Sequence, residues 1–262
     1  MKQELIDAYG AIGVTAGRTV IIHSDFARLA SFGGLDKQAV LDAHYQAFRD
    51  LVGPEGTLAV IAGSQNLCNT ETPFDVANTP SWQMGIFTEH LRKQPGTLRS
   101  FHPFISFAAN GPMAATITQD VSRHAWGPET PTQRLIDLDA LCVSIGIHPR
   151  FTCSTVHHVE QAMGAPYRYS KEYMHPVIRD GNISVEPFYT YVYYLACEID
   201  RNRNKKIFKR FMNHHSVSEH PLRNGKIYSY AVKDFYASAV QSMKDDIYVW
   251  LNQPPKTRPY RT

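Results

Sequence analysis

The strongest constraint on the fold is a grammar repeated near the start of the chain. TVIIHS at 19–24 and TLAVIA at 57–62 are short, apolar runs, the first rich in β-branched residues, and each follows a glycine turn, at Gly13 and Gly17 and at Gly53 and Gly56. Runs of this kind suit strands covered on both faces. Residues 36–51 read as a helix between them, so the three elements form a βαβ unit. Covering both faces of such a sheet requires helices, which places the chain in the α/β class.

The rest of the chain extends this reading. A helix is expected over 2–12, and residues 63–80 are polar, Gly- and Pro-containing and without periodicity, which predicts a long functional loop. Helix returns over 82–93. FHPFISFAANG at 101–111 and LCVSIGI at 141–147 are apolar enough for two further strands, with helix and loop over 113–138 between them. STVHHVEQAM, from Ser154 to Met163, starts a helix at a strand end, with Ser154 and Thr155 as capping residues. Strand ends are where α/β proteins place chemistry. Beyond Pro176 the character turns to aromatic hairpins, a basic run and a final helix near 233–251. These features predict one domain over 1–262, with a core of about 1–170 and a smaller, mostly antiparallel α+β part over about 171–262.

Composition closes off several classes. The 262 residues contain no stretch of about 18 uninterrupted apolar residues, so no membrane span is expected. The first residues lack a basic segment followed by an apolar run, which points to the cytoplasm. Cys68, Cys142, Cys153 and Cys197 are widely spaced and form no C-x-x-C pair, so they read as reduced thiols with no metal site. Net charge is a mild +3, and no nucleic-acid motif accompanies the basic run. Nucleic acid and membrane are therefore not expected partners; a homodimer is an assembly open to the chain.

Common catalytic signatures are absent: no G-x-S-x-G, H-E-x-x-H, P-loop or G-x-G-x-x-G occurs. His175 and Asp180 form an H-x-x-x-x-D pair, but Asp180 heads an Asp-Gly-Asn turn that a hairpin explains. The H-x-x-E step of His157 and Glu160 has no second copy, which argues against a di-metal centre. General-base chemistry at neutral pH needs a group that titrates near neutrality, and twelve histidines offer it.

Several segments single one of them out. VIIHSDFARLASFGG, GPEGTLAV, TPSWQMGIFTEHLRKQPGTLRSFHPFISFAANGP, TPTQRL and STVHHVEQ occur in that order across about 150 residues. Together they resemble the antibiotic N-acetyltransferase family, best known for aminoglycoside 3-N-acetyltransferases. Asp25 departs from the family's second serine, and Thr130-Pro131 replaces its Ser-Pro. The resemblance implies a three-layer α/β/α sandwich, acetyl-coenzyme A as donor, and direct attack of an amine on the thioester. It carries the catalytic histidine onto His157, with Ser154 and Glu160 on the same motif, and aligns a carboxylate partner near Glu186, with Asp180 as the alternative. It implies a coenzyme-binding loop through His23, Ser24, Phe26, Arg28 and Gly34. Arg99, Ser100 and Ser106, toward the coenzyme, and His102, toward the acceptor, fit either binding or a structural polar network. Asp75, in the long loop, is a further acceptor-binding candidate.

The charge pattern departs from antibiotic-modifying members. Arg201, Arg203, Lys205, Lys206, Lys209 and Arg210 crowd one segment, whereas a polycationic aminoglycoside calls for carboxylates. The expected acceptor is therefore a small amino sugar linked to a nucleotide, with Arg201 and Arg203 on its diphosphate; an aminoglycoside is the alternative. Cys153, four residues before His157, raises the separate prospect of a covalent acetyl-thiol route.

Overall fold

The computed structural model describes residues 1–29 and 36–258. In chain order the elements are α1 (Lys2–Ala11), β1 (Thr19–Ser24), α2 (Lys37–Val52), β2 (Thr57–Ile61), α3 (Ile86–Arg92), β3 (Leu98–Arg99), β4 (Phe107–Asn110), α4 (Ala114–Thr118) and α5 (Pro131–Asp137). There follow β5 (Leu141–Ile145), α6 (Thr155–Ala162), β6 (Arg168–Arg179), β7 (Asn182–Tyr193), α7 (Lys205–Met212), β8 (Ser218–Leu222), β9 (Gly225–Ala231) and α8 (Val232–Asp245).

Seven strands form one sheet in the order β3-β4-β2-β1-β5-β9-β8. Its centre, β2-β1-β5, is parallel, and antiparallel pairs flank it on both sides. Alternation along each strand divides the core in two. Val20, Ile22, Leu58, Val60, Val143 and Ile145 face α1, α2 and α3, whereas Ile21, Ala59, Phe107, Cys142 and Tyr230 face the opposite helices, α4 to α8. The result is a three-layer α/β/α arrangement. The expected βαβ unit is β1-α2-β2, and α2 begins where Asp36 accepts a hydrogen bond from the Ala39 N–H at 3.0 Å.

The C-terminal stretch divides. β6 and β7 are a separate two-stranded sheet, the smaller antiparallel element expected there, while β8 and β9 attach to β5 and complete the large sheet. The hairpin turns at Asp180 and Gly181, both at positive φ (48° and 78°), the backbone pattern of a type I′ turn. That turn accounts for Asp180, which is exposed at the hairpin tip and does not line the cleft that holds His157.

Two local expectations change. Residues 101–106 do not continue β4: the chain bends at Pro103, and the His102 imidazole accepts the backbone N–H groups of Phe104 and Ile105. This loop is apolar because it is buried, not because it is a strand. The helix expected from 82 begins only at Ile86, because Gly85 sits at φ 89° against β1, where a Cβ would come within 2.9 Å of the Ser24 carbonyl oxygen. No helix among the described residues is long and apolar enough to cross a membrane.

Candidate active site

The C-terminal ends of β1, β2 and β5 open into a cleft of about 1070 Å³, rimmed by the start of α3, the approach to α6 and the segment before α7. This is the side of an open α/β sheet where ligands bind, and its volume exceeds the usual range for one small molecule. It therefore has room for a donor and an acceptor together.

His157 faces this cleft from the first turn of α6. Its Nδ1 lies 3.1 Å from Oε2 of Glu160, one helical turn on, whose side chain is 1% exposed. Burying a carboxylate requires a partner, and Arg168 supplies it: Nη2 sits 2.8 Å from the same Oε2 and 3.0 Å from His157 Nδ1. Arg168 also donates to the Tyr191 carbonyl oxygen at 2.6 Å and lies flat over Tyr193, 3.7 Å from the ring centroid. Trp126 leans against the imidazole, ring centroids 5.4 Å apart.

Burial pushes the Glu160 carboxyl up, but the His157 hydrogen bond and the Arg168 charge outweigh it and hold it below its ordinary value. With Nδ1 protonated, the ring donates to the charged Glu160 and Nε2 keeps its lone pair, while Arg168 Nη2, which can only donate, stands 3.0 Å from the same Nδ1. Burial lowers the His157 pKa, with Arg168 and Arg201 acting in the same direction against Glu160. The ring is thus neutral at neutral pH and able to take a proton.

The neighbour His158 points elsewhere, accepting the Gly127 N–H and meeting Gln133 Oε1 at 3.0 Å. Cys153 lines the cleft, yet burial pushes its thiol up to about 12, which disfavours a thiolate nucleophile.

Of the other expected residues, His23, Ser24, Phe26, Arg201 and Arg203 line the cleft. His23 is kept neutral by burial, which takes it down to about 4. Arg28 lies in a short 3-10 turn over Phe26–Leu29, its side chain outside the described structure, and Gly34 lies outside the described residues.

Four others are committed to the scaffold. Arg99 donates to the carbonyl oxygens of Ala62 and Thr79 and to the hydroxyls of Ser64 and Ser106. Ser106 reaches back to Ala62 O, and Ser100 accepts the Phe107 N–H. Together with His102, these residues do not line the cleft; they lock the loops beside it. Asp75 likewise caps its own turn, accepting from Ala77, Asn78 and the Asn78 amide.

Glu186 is not the partner of His157. It faces Arg179 at 2.8 Å and Arg123 at 2.5 Å near the hairpin tip, outside the cleft lining. The carboxylate at the imidazole is Glu160, because a three-residue helical step brings the two side chains together.

Sequence reading missed Arg168, Trp126 and Tyr193. A glutamate on an otherwise buried helix face was the available signal for Arg168, since such a charge demands a cation. The two aromatics offered none, as their segments are distant in sequence from α6.

The Glu160–His157 pair lies at the C-terminal ends of the parallel strands. The sequence family described as aminoglycoside 3-N-acetyltransferase matches residues 21–244. The chain belongs to that family. Among its relatives, aminoglycoside N(3)-acetyltransferase VIII of Streptomyces fradiae is 33% identical over 205 residues, 69% of this chain and 67% of that protein. The type VII protein of Streptomyces paromomycinus is 30% identical over 196 residues, 65% of this chain and 64% of its own length. The match to this second relative thus spans just under two thirds of it. A solved structure of AAC-IIIb, binary with CoASH, superposes with a TM-score of 0.80 at 20% identity, over 97% of this chain and 99% of that one. At that identity the likeness concerns the antibiotic N-acetyltransferase fold alone.

Proposed function

We propose that this protein transfers the acetyl group of acetyl-coenzyme A to the 3-amino group of an aminoglycoside, with His157 as general base. The observation that carries this reading is the free Nε2 of His157 in the cleft, its ring fixed from behind by buried Glu160. The amine nitrogen bonds to the thioester carbonyl carbon and the carbon–sulfur bond breaks. Nε2 takes the proton released by the amine and returns it to the departing sulfur. Direct attack fits better than an acetyl-thiol route, because Cys153 is held protonated.

Coenzyme A carries several phosphate charges, and Lys37, Arg150, Arg201 and Arg203 line the same cleft. These cations suit the donor. An anionic, nucleotide-linked acceptor loses its main argument, since the basic run disperses: Lys206 binds the Leu251 and Asn252 carbonyl oxygens, and Arg210 turns to Ser242 and Asp245. The named relatives favour the aminoglycoside.

Thiol release from acetyl-coenzyme A, measured against a panel of aminoglycosides and nucleotide-linked amino sugars, tests the proposal. Saturable release with an aminoglycoside is expected. Saturable release with only the nucleotide-linked sugars would return the acceptor to that class.

A further inference from the structure

We propose that Arg168 is a positioning residue: its guanidinium holds the Glu160 carboxylate against the Nδ1 edge of His157 and so keeps Nε2 as the unprotonated nitrogen in the cleft. This rests on the reading of His157 as base.

The geometry over-determines the guanidinium. Nη1 is tied to the Tyr191 carbonyl oxygen at 2.6 Å, the flat face is stacked on Tyr193 at 3.7 Å, and Nη2 reaches Glu160 Oε2 at 2.8 Å. The side chain is 5% exposed. Because Arg168 opens β6 and both tyrosines lie on β7, the hairpin adds a second restraint on the Glu160 carboxylate that α6 already sets one turn from His157. Oε2 accepts Nη2–H and lies 3.1 Å from Nδ1, and Nη2 itself stands 3.0 Å from the same Nδ1, so the guanidinium sets its charge against the ring edge as well as against the carboxylate. The planar fork of the guanidinium meets Glu160 and the Tyr191 carbonyl oxygen through its two Nη atoms at once.

The groups that face His157 leave the other charges few. Arg201 stands 5.6 Å from the Tyr193 ring centroid. Tyr167, Tyr191 and Tyr193 have phenols pushed up by burial and then by the Glu160 charge, so they stay neutral. Cys153 stays a thiol for the same first reason. Glu160 and Arg168 are therefore the two charges in contact with the imidazole, and removing Arg168 leaves an unbalanced carboxylate at Nδ1. That carboxylate favours the doubly protonated ring.

The test is nitrogen NMR of protein labelled with ¹⁵N-histidine, the His157 signals assigned by their loss in His157→Ala. In the unmodified protein at pH 7.5, Nδ1 is expected to carry the proton and Nε2 the lone pair. In Arg168→Met, His157 should titrate about one pH unit higher, and turnover at pH 7 should fall by roughly tenfold to a hundredfold with partial recovery at high pH. Arg168→Lys restores a cation without the bridge to Tyr191, and should return the titration more fully than the turnover. In a Glu160→Gln background, Arg168→Met should no longer move the titration. A proton on Nε2 in place of Nδ1 in the unmodified protein, an unchanged titration in Arg168→Met, or in Arg168→Lys a titration as displaced as in Arg168→Met, overturns the proposal. If the NMR behaves as expected but His157→Ala keeps its turnover, the base reading falls and the positioning role stands.

Discussion

Two arginine-centred networks lie within the same fold and end differently. Around Arg99 every donor is spent on the scaffold: Ala62, Ser64, Thr79 and Ser106 absorb the guanidinium and hold the loops flanking β2. Around Arg168 the chain of contacts runs through Glu160 to His157 and stops with one imidazole nitrogen open to the cleft. Both networks are built from segments that resemble the family pattern. What separates them is where they lead: the Arg99 contacts return to the scaffold, whereas the Arg168 contacts end at an imidazole that lines the cleft.

The contrast breaks first at His157. His157→Ala should cut turnover by roughly two to four powers of ten while leaving coenzyme A affinity and melting temperature nearly unchanged, as loss of a base predicts; calorimetric titration with coenzyme A beside steady-state rates separates the two quantities. A comparable loss of coenzyme binding would turn His157 into a scaffold residue like Arg99.

Arg99→Ala should show the opposite pattern. Losing hydrogen bonds from a charged donor should destabilise the protein by about 3 kcal/mol, a drop of roughly 6–12 °C in melting temperature for a chain of this size. Turnover per folded molecule should stay within a few-fold of normal. An unmoved melting curve with a sharply raised KM for acetyl-coenzyme A would instead return Arg99 to the coenzyme site.

A pH series sharpens the comparison further. Because burial, Arg168 and Arg201 lower the His157 pKa, the base is unprotonated above its ordinary value of about 6.5 and below it for some distance. The limb of kcat that belongs to His157 therefore falls away on the acid side of about 6.5. A His157 limb above pH 7 would mean that Glu160 outweighs its neighbours.

The smallest effect belongs to His158. With both nitrogens engaged by Gly127 and Gln133, His158→Ala should cost about 1–2 kcal/mol of stability and change turnover by less than about threefold. A greater kinetic loss than in His157→Ala would shift the site by one residue.

How much of this the sequence disclosed depends on how local each feature is. The β1-α2-β2 unit and the start of α6 were readable because apolar runs, glycine turns and a strand end sit side by side in the chain. Residues 101–106 misled because burial, not strand pairing, explains their apolar character. Glu160 was legible as His157's neighbour on one helical turn; Glu186 was not placeable, since its surroundings depend on where a hairpin of two twelve-residue strands folds. Arg168 follows His157 by eleven positions, and only the return of β7 beneath it shows its use. The basic run misled most, because charge density in sequence does not tell which cations staple the C-terminal segment and which face the cleft.

The contact between Trp126 and His157 gives the protein a built-in optical reporter. An imidazolium ion accepts an excited electron from a nearby indole and dims its emission, whereas the neutral ring does so far less. The chain has three tryptophans; Trp82 is 41% exposed, and Trp250 is buried with its indole N–H on the Met243 sulfur. With those two held as a constant background, intrinsic fluorescence during acid titration follows the protonation of a single histidine. Dimming on acidification thus reads the state of the base directly, with no substrate present.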